Sequence, residues 1–184
     1  QALGLRVHLD GARILNAALA SGCSVQKIAD CADTVTFCLS KGLCAPVGSM
    51  LCGTKEFIAR ARRNRKRIGG GLRQAGFLAA AGLIAMNQMS LRLGEDHANA
   101  KTLAAMLEEL DGVAVAKDQL DINMIFLTLN GLAAPERFVD ALKEQGILIN
   151  GADHGVYRLV THWGIETADL PRIAAAIDRC RKEL

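Results

Sequence analysis

TVTFCLSKGLCAPVGSMLCG, residues 34–53, decides how the rest of the chain is read. Val35, Phe37 and Leu39 form an apolar strand-like run that ends at Ser40-Lys41. The chain then crosses a Gly/Pro turn and re-enters a second run at Met50-Leu51-Cys52. Lys41 is the only lysine or arginine between Lys27 and Lys55. An amine at the tip of an apolar strand sits where burial lowers its pKa and frees it as a nucleophile toward carbonyls. A solvated loop lysine satisfies the same pattern.

Upstream, Leu5–Leu9 reads as a strand, followed by Asp10-Gly11-Ala12-Arg13 and an apolar helical pattern, Ile14, Leu15, Ala18 and Leu19, closed by Ser21-Gly22. A short helix over 24–32, with Ser24 as N-cap, leads into the strand before Lys41. Strand, helical crossover and strand is the pattern of a parallel sheet, whose functional groups gather at the carboxyl ends of the strands. Asp10 and Lys41 both lie at such ends. One ordinary role for Asp10 is a helix N-cap. A chemical one is a salt bridge to the protonated pyridine nitrogen of pyridoxal phosphate, the commonest carbonyl held by a lysine, which keeps the ring an electron sink. Arg13 fits either an ion pair with Asp10 in the first helical turn or a fork for a carboxylate.

Downstream, Thr54 caps a helix that runs into the basic stretch Arg62-Arg63-Asn64-Arg65-Lys66-Arg67, which Gly69-Gly70-Gly71 breaks. Lys66 and Arg73 bracket the glycines, where a phosphate or plain solvent would suit them. The span 72–89 is apolar nearly all round and is expected to be buried. The span 90–110 reads as an amphipathic helix joining two domains. Beyond it come strands over 113–116, 123–129, 147–149 and 156–161 and helices over 135–145 and 168–182, a small α+β unit. Pro135 opens one helix and Gly146 follows its end. Arg158 alternates with Val156 and Val160, so it is expected to have an anionic partner, internal or ligand-borne. His162 shares its phase, as His8 shares that of Asp10; a structural role suits both histidines as well as one at an active site.

The 184 residues, 51% hydrophobic and 22% charged, are enough for one large domain or two small ones. A net charge of +3 argues against a nucleic-acid partner, and no apolar run has the length to cross a bilayer. Six cysteines, at 23, 31, 38, 44, 52 and 180, form no C-x-x-C pair, which argues against a metal site and places the chain in a reducing cytoplasm. The opening Gln1-Ala2-Leu3-Gly4 has no initiator methionine, and the chain reads as the later part of a longer protein.

Taken together, HLDGARILNAA, FCLSKGLCAPVGSMLCG, RRNRKRIGGGLRQAGFLAAAG, EDHANA, NMIF and YRLVTH resemble, in colinear order, the low-specificity L-threonine aldolases. The resemblance implies an α/β chain: residues 1–92 as the later part of a fold-type-I large domain with a mainly parallel sheet, 93–110 as a linking helix, and 111–184 as a small C-terminal α+β domain. It implies pyridoxal phosphate bound by Lys41, with Asp10 on the pyridine nitrogen and Arg13 and Arg158 on the substrate carboxylate. Lys66, His8 and His162 become neighbours of that site. The implied reaction is retro-aldol cleavage of threonine or allo-threonine to glycine and acetaldehyde in a homotetramer. The expected partner is the family's N-terminal half, which supplies the phosphate cradle and the histidine stacked on the ring. Another enzyme of the same fold, a serine hydroxymethyltransferase or a β-eliminating lyase, shares this logic, and so does an inactive fragment with a structural role. Cys44 stands where the family commonly has glycine, and a positive φ there would strain it.

Overall fold

The structure is a computed structural model and describes residues 3–184; Gln1 and Ala2, part of the opening read above, lie outside the described residues. The chain divides into two compact units, one ending at Leu93 and the other spanning Gly94–Leu184.

The first unit is built on three strands, β1 (His8–Asp10), β2 (Thr34–Cys38) and β3 (Ser49–Cys52), in that order across the sheet. Between β1 and β2 lie helices α1 (Ile14–Ser21) and α2 (Val25–Ala29), and this helical crossover makes the two strands parallel, with Asp10 opposite Thr36. The turn at 39–48 is too short for such a crossover, so β3 returns antiparallel, with Cys38 opposite Ser49. Local signals set the helix ends. Gly22 closes α1 at φ 64°, its N–H reaching Ala18 and Leu19 carbonyls. Ser24 caps α2 by accepting the Lys27 N–H, and Thr54 caps α3 (Lys55–Arg67) by accepting that of Phe57.

The core of this unit gathers beneath the turn after β2: Leu39, Leu43, Ala45, Ala85 and Leu93, with Leu15 and Phe37 packed against them. Helix α4 (Gly76–Asn87) departs from expectation. It is apolar all round yet buries only Gly82 and Ala85, while Phe77 is 89% exposed and Leu83 and Ile84 also face outward. A helix apolar on every side needs cover on every side, and a three-stranded sheet covers one. The span also begins later than its apolar pattern, because Leu72 to Ala75 are non-helical.

The second unit is an antiparallel meander, β4 (Val113–Val115), β5 (Met124–Leu129) and β6 (Tyr157–Val160), with helices α5 (Leu93–Glu108), α6 (Pro135–Glu144) and α7 (Leu170–Glu183). Ile125 and Leu127 of β5 and Tyr157 and Leu159 of β6 alternate onto the buried face, where they meet Leu103 and Leu107 of α5, Phe138 and Leu142 of α6, and Ile177 of α7. Phe138 and Tyr157 pack edge to face with ring centroids 5.1 Å apart. Helix α5, read from the sequence as a link, contributes a full face to this core. The strand expected over 147–149 is absent: Ile147 to Asn150 make no ladder, although Ile147 is buried.

Candidate functional site

Asp10 and Lys41 are held at the carboxyl ends of neighbouring parallel strands. The pairing of β1 with β2 continues past Asp10: Gly11 N–H donates to the Thr36 carbonyl at 2.8 Å, and Cys38 N–H donates to the Ala12 carbonyl at 3.2 Å. The Asp10–Ala12 loop therefore lies beside the last residues of β2. Glycine at 11 permits this approach, since a Cβ there would stand 3.0 Å from the Thr36 carbonyl oxygen. Asp10 is an exposed strand residue whose Oδ1 accepts the Ala12 N–H at 3.2 Å, a local turn that replaces the helix-capping role open to it. The residue at the N-cap of α1 is Arg13, half-buried, with no side-chain cap; Asp10 lies outside the helix.

After β2, Leu39 N–H donates to the Gly48 carbonyl and Ala45 N–H to the Leu39 carbonyl, both at 2.9 Å, which closes the loop back on itself. Within it, Gly42 and Leu43 are buried and Lys41 is exposed. Burial thus falls on the backbone that carries the amine; the expectation of a buried amine is not met. Gly42 admits close packing, because a Cβ would lie 3.0 Å from Leu93 Cδ2 and 3.4 Å from Asn16 Oδ1. Asn16, itself 3% exposed on α1, was not singled out by sequence reasoning; at 3.6 residues per turn it falls on the other side of the helix from Ile14 and Ala18, so periodicity gave no sign of its burial. Cys44 has φ 60°, the left-handed conformation that a Cβ makes costly, so the strain expected of a side chain at this position is present. The Asp10 carboxylate and the Lys41 amine make no ion pair among the described residues, so both remain available to a ligand.

His8 is engaged by β2: Nδ1 lies 2.8 Å from Thr34 Oγ1 and Nε2 lies 3.3 Å from Thr36 Oγ1. It staples β1 to its neighbour, two residues before Asp10. Lys66 sits exposed in the last turn of α3. The glycines after it fold back on that turn, Gly70 N–H donating to the Arg65 carbonyl at 2.8 Å. Cβ atoms at Gly70 and Gly71 would meet the Arg65 and Lys66 side chains at 2.9 Å, so the glycines terminate the helix against its own basic residues. Beside this helix runs a groove of about 700 Å³ lined by Thr36, Leu51, Phe57, Arg60 and Arg65.

In the second unit Arg158 and His162 line one cavity of about 300 Å³, whose walls include Leu103, Ile149, Leu159 and Ile165. Arg158 does alternate with Val160, but on the outer face of β6, opposite Phe126 and exposed; Tyr157 and Leu159 take the core side. Of the two anionic partners open to it, internal or ligand-borne, the internal one is absent among the described residues, and an exposed guanidinium has water in its place. His162 is exposed and its Nδ1 lies 2.7 Å from the Trp163 carbonyl, which requires that nitrogen to carry the proton.

Sequence reasoning missed a buried polar network next to this cavity. Thr161, 2% exposed, donates from Oγ1 to the Asp96 carbonyl at 2.6 Å, and Asn123 Nδ2 donates to the Thr161 carbonyl at 2.7 Å. Burial pushes the His97 imidazole below its ordinary pKa, with Lys101 in the same direction and Asp96 opposing. The signal was the cluster Glu95-Asp96-His97-Ala98-Asn99, polar residues placed where α5 is buried. Among the described residues no helix is long and apolar enough to cross a membrane, and no cluster of histidine, cysteine and carboxylate side chains fits a metal ion.

Residues 1–130 match the family model described as beta-eliminating lyase. The chain is 43% identical over 171 residues to the low specificity L-threonine aldolase of Escherichia coli (strain K12), covering 93% of this chain and 50% of that protein. It is 41% identical over 169 residues to low-specificity L-threonine aldolase 1 of Arabidopsis thaliana, covering 91% of this chain and 47% of the relative. The chain therefore spans about half the length of these relatives. The solved threonine aldolase of Leishmania major superimposes with a TM-score of 0.69 at 20% identity, over 97% of this chain and 52% of that one, so the fold is shared. The α/β, fold-type-I class expected from the sequence is the observed one.

Proposed function

Since the chain belongs to the beta-eliminating lyase family, we propose that it forms part of a pyridoxal-phosphate-dependent aldehyde-lyase that cleaves threonine or allo-threonine to glycine and acetaldehyde. One observation carries the reading. Asp10 and Lys41 project from the ends of adjacent parallel strands, held there by backbone bonds from Gly11 and Cys38, with neither side chain engaged in an ion pair among the described residues. A carboxylate with an oxygen to spare and an amine on the neighbouring strand fit the two ends of a pyridine aldehyde. Pyridoxal phosphate bound there supplies a cationic conjugated ring that withdraws electrons from the Cα–Cβ bond of the substrate.

The chain's own residues do the rest. Lys41 would supply the amine that holds the cofactor's aldehyde carbon. Asp10 keeps the proton on the ring nitrogen by accepting its hydrogen bond, a charge-assisted interaction. Arg13 and Arg158 would each offer a guanidinium fork to a substrate carboxylate, and orientation of this sort is worth several kcal/mol of barrier, on the order of 7–11 at its ideal limit. His8 holds β1 in register and with it the height of Asp10. Lys66 and His162 are neighbours of the site in this reading. Among the described residues none is assigned as the base for the β-hydroxyl, and that proton is assigned to a group on the remainder of the polypeptide or to an ordered water. The whole protein in this reading includes the N-terminal half of the fold, assembles as a homotetramer and works in the cytoplasm.

The test uses the full-length protein. Borohydride reduction followed by peptide mapping is expected to place the pyridoxyl group on Lys41, and Lys41→Ala is expected to lose both the label and acetaldehyde release. Label on another lysine would overturn the assignment. The family's description is also consistent with a second reading, β-elimination; 2-oxobutyrate and ammonia from threonine, in place of acetaldehyde and glycine, would establish it instead.

A further inference from the structure

The loop that follows β6 is fastened at both ends to one helix. At its start, Thr161 Oγ1 donates to the Asp96 carbonyl of α5 at 2.6 Å, and Thr161 N–H donates to the Asn123 carbonyl at 3.1 Å. At its end, Asn99 of the same helix donates from Nδ2 to the Ile165 carbonyl at 3.0 Å and accepts at Oδ1 from Thr167 Oγ1 at 2.8 Å. The Ile165 carbonyl can only accept, so the amide orientation of Asn99 is fixed and Thr167 must be the donor. Asn99 is 7% exposed and Asn123 is 1% exposed, while Thr167 is exposed, so the far fastening joins a buried amide to a hydroxyl at the surface, and breaking it leaves the buried Asn99 amide oxygen short of a partner.

Between the two fastenings the chain makes a tight turn. Ile165 N–H donates to the His162 carbonyl at 3.0 Å, and Gly164 takes φ 95°. The turn turns outward, leaving Trp163 62% exposed. Thr161, His162 and Ile165 are all walls of the cavity that Arg158 lines. The loop is therefore one side of the cavity that Arg158 lines, and its position is set by hydrogen bonds to α5.

We propose that Asn99, with Thr167, is a positioning residue for that pocket: a clasp from α5 that keeps the 161–167 loop in place beside Arg158 before an amino-acid carboxylate arrives. The inference rests on Arg158 being the carboxylate ligand. A preformed wall spares the binding step the entropy of ordering a loop, so the clasp acts on affinity rather than on bond breaking.

Thr167→Val removes the hydroxyl and keeps the shape; Thr167→Ser keeps the hydroxyl. In the full-length holoenzyme, assayed well below its melting temperature, Thr167→Val is expected to raise KM for threonine about two- to ten-fold, the worth of one part-buried hydrogen bond, with kcat little changed. Thr167→Ser is expected to restore KM. Asn99→Ala, which breaks both bonds, is expected to raise it further and serves if Thr167→Val fails to fold. Ile177→Val, a core trim in the same unit, controls for plain destabilisation and is expected to lower the melting temperature without moving KM. An unchanged KM in both Thr167→Val and Asn99→Ala, alongside a raised KM in Arg158→Ala, would overturn the clasp and leave Arg158 in place. An unchanged KM in Arg158→Ala would remove the carboxylate from this cavity and the clasp's role with it.

Discussion

The backbone N–H of Cys44 donates to the carbonyl of Lys41 at 2.9 Å, and Cys44 holds φ 60° as it does so. The residue that closes the turn around the proposed cofactor lysine is thus in a conformation that glycine adopts freely and a side chain resists. Its Sγ lies 3.5 Å from the Gly42 carbonyl, a weak contact.

Cys44→Gly is expected to stabilise the protein by about 0.5–1 kcal/mol, the relief of a left-handed side chain less the entropy glycine adds to the unfolded chain. Chemical denaturation of the two proteins measures it. A less stable glycine variant would mean that the thiol contributes a contact outweighing the strain.

Gly11→Ala tests how Asp10 is held. The added methyl would stand 3.0 Å from the Thr36 carbonyl oxygen, 3.2 Å from Ile14 Cβ and 3.3 Å from Val35 Cγ1. Something must shift, and two of these neighbours are a strand carbonyl and a helix Cβ, which give little. A loss of about 1–3 kcal/mol is expected, together with weaker retention of pyridoxal phosphate on dialysis, followed by its absorbance. Wild-type stability and retention would show that the β1–β2 junction is slack.

Arg158→Ala is expected to raise KM for threonine by a factor equivalent to about 2–5 kcal/mol if its carboxylate pairing is buried in the complex, with a smaller effect on kcat. Because Arg158 is exposed and has no internal partner among the described residues, its removal leaves no buried anion behind, and the melting temperature is expected to stay within a degree or two of wild type, roughly the scatter of surface changes. A lowered melting temperature with an unchanged KM would assign Arg158 a structural role.

His97 predicts a pH dependence. Burial lowers its pKa in the folded protein, whereas the unfolded chain takes up a proton near the ordinary histidine value of about 6.5. The unfolded state therefore binds more protons as the solution is acidified. The contribution of His97 to stability is complete above that ordinary value and declines as pH falls below it, until the lower folded value is reached. Melting temperatures measured from neutral pH to pH 5 are expected to fall more steeply for the wild type than for His97→Gln. Parallel curves would exclude His97 as a source of the acid sensitivity.

Much of the first unit was legible in the sequence because its signals are local. The caps at Ser24 and Thr54 act on N–H groups three residues away, and Gly22 needs only its own φ. The strand ending before Lys41 and its return through Met50 followed from alternation and turn chemistry, and the resemblance carried by SKGLCAPVGS gave the family. In the second unit the order of strands and helices was also recoverable, except at Ile147 to Asn150. There an apolar run suggested a strand, but the chain finds no ladder partner, and a strand exists only by pairing.

The sequence by itself determined which strand ends present Asp10 and Lys41 and which residues are proposed to carry the chemistry, since both follow from short-range pattern and motif. Tertiary structure alone decided that Cys44 is left-handed, that Lys41 is exposed over a buried turn, that Arg158 faces outward, and that Asn99 reaches Thr167 across the sequence. It likewise left α4 exposed on most sides. The reason is physical: a period of two or 3.6 says which residues share a face, but whether that face meets solvent, core or a distant hydroxyl depends on what packs against it. That is a property of contacts between segments, which no local spacing records.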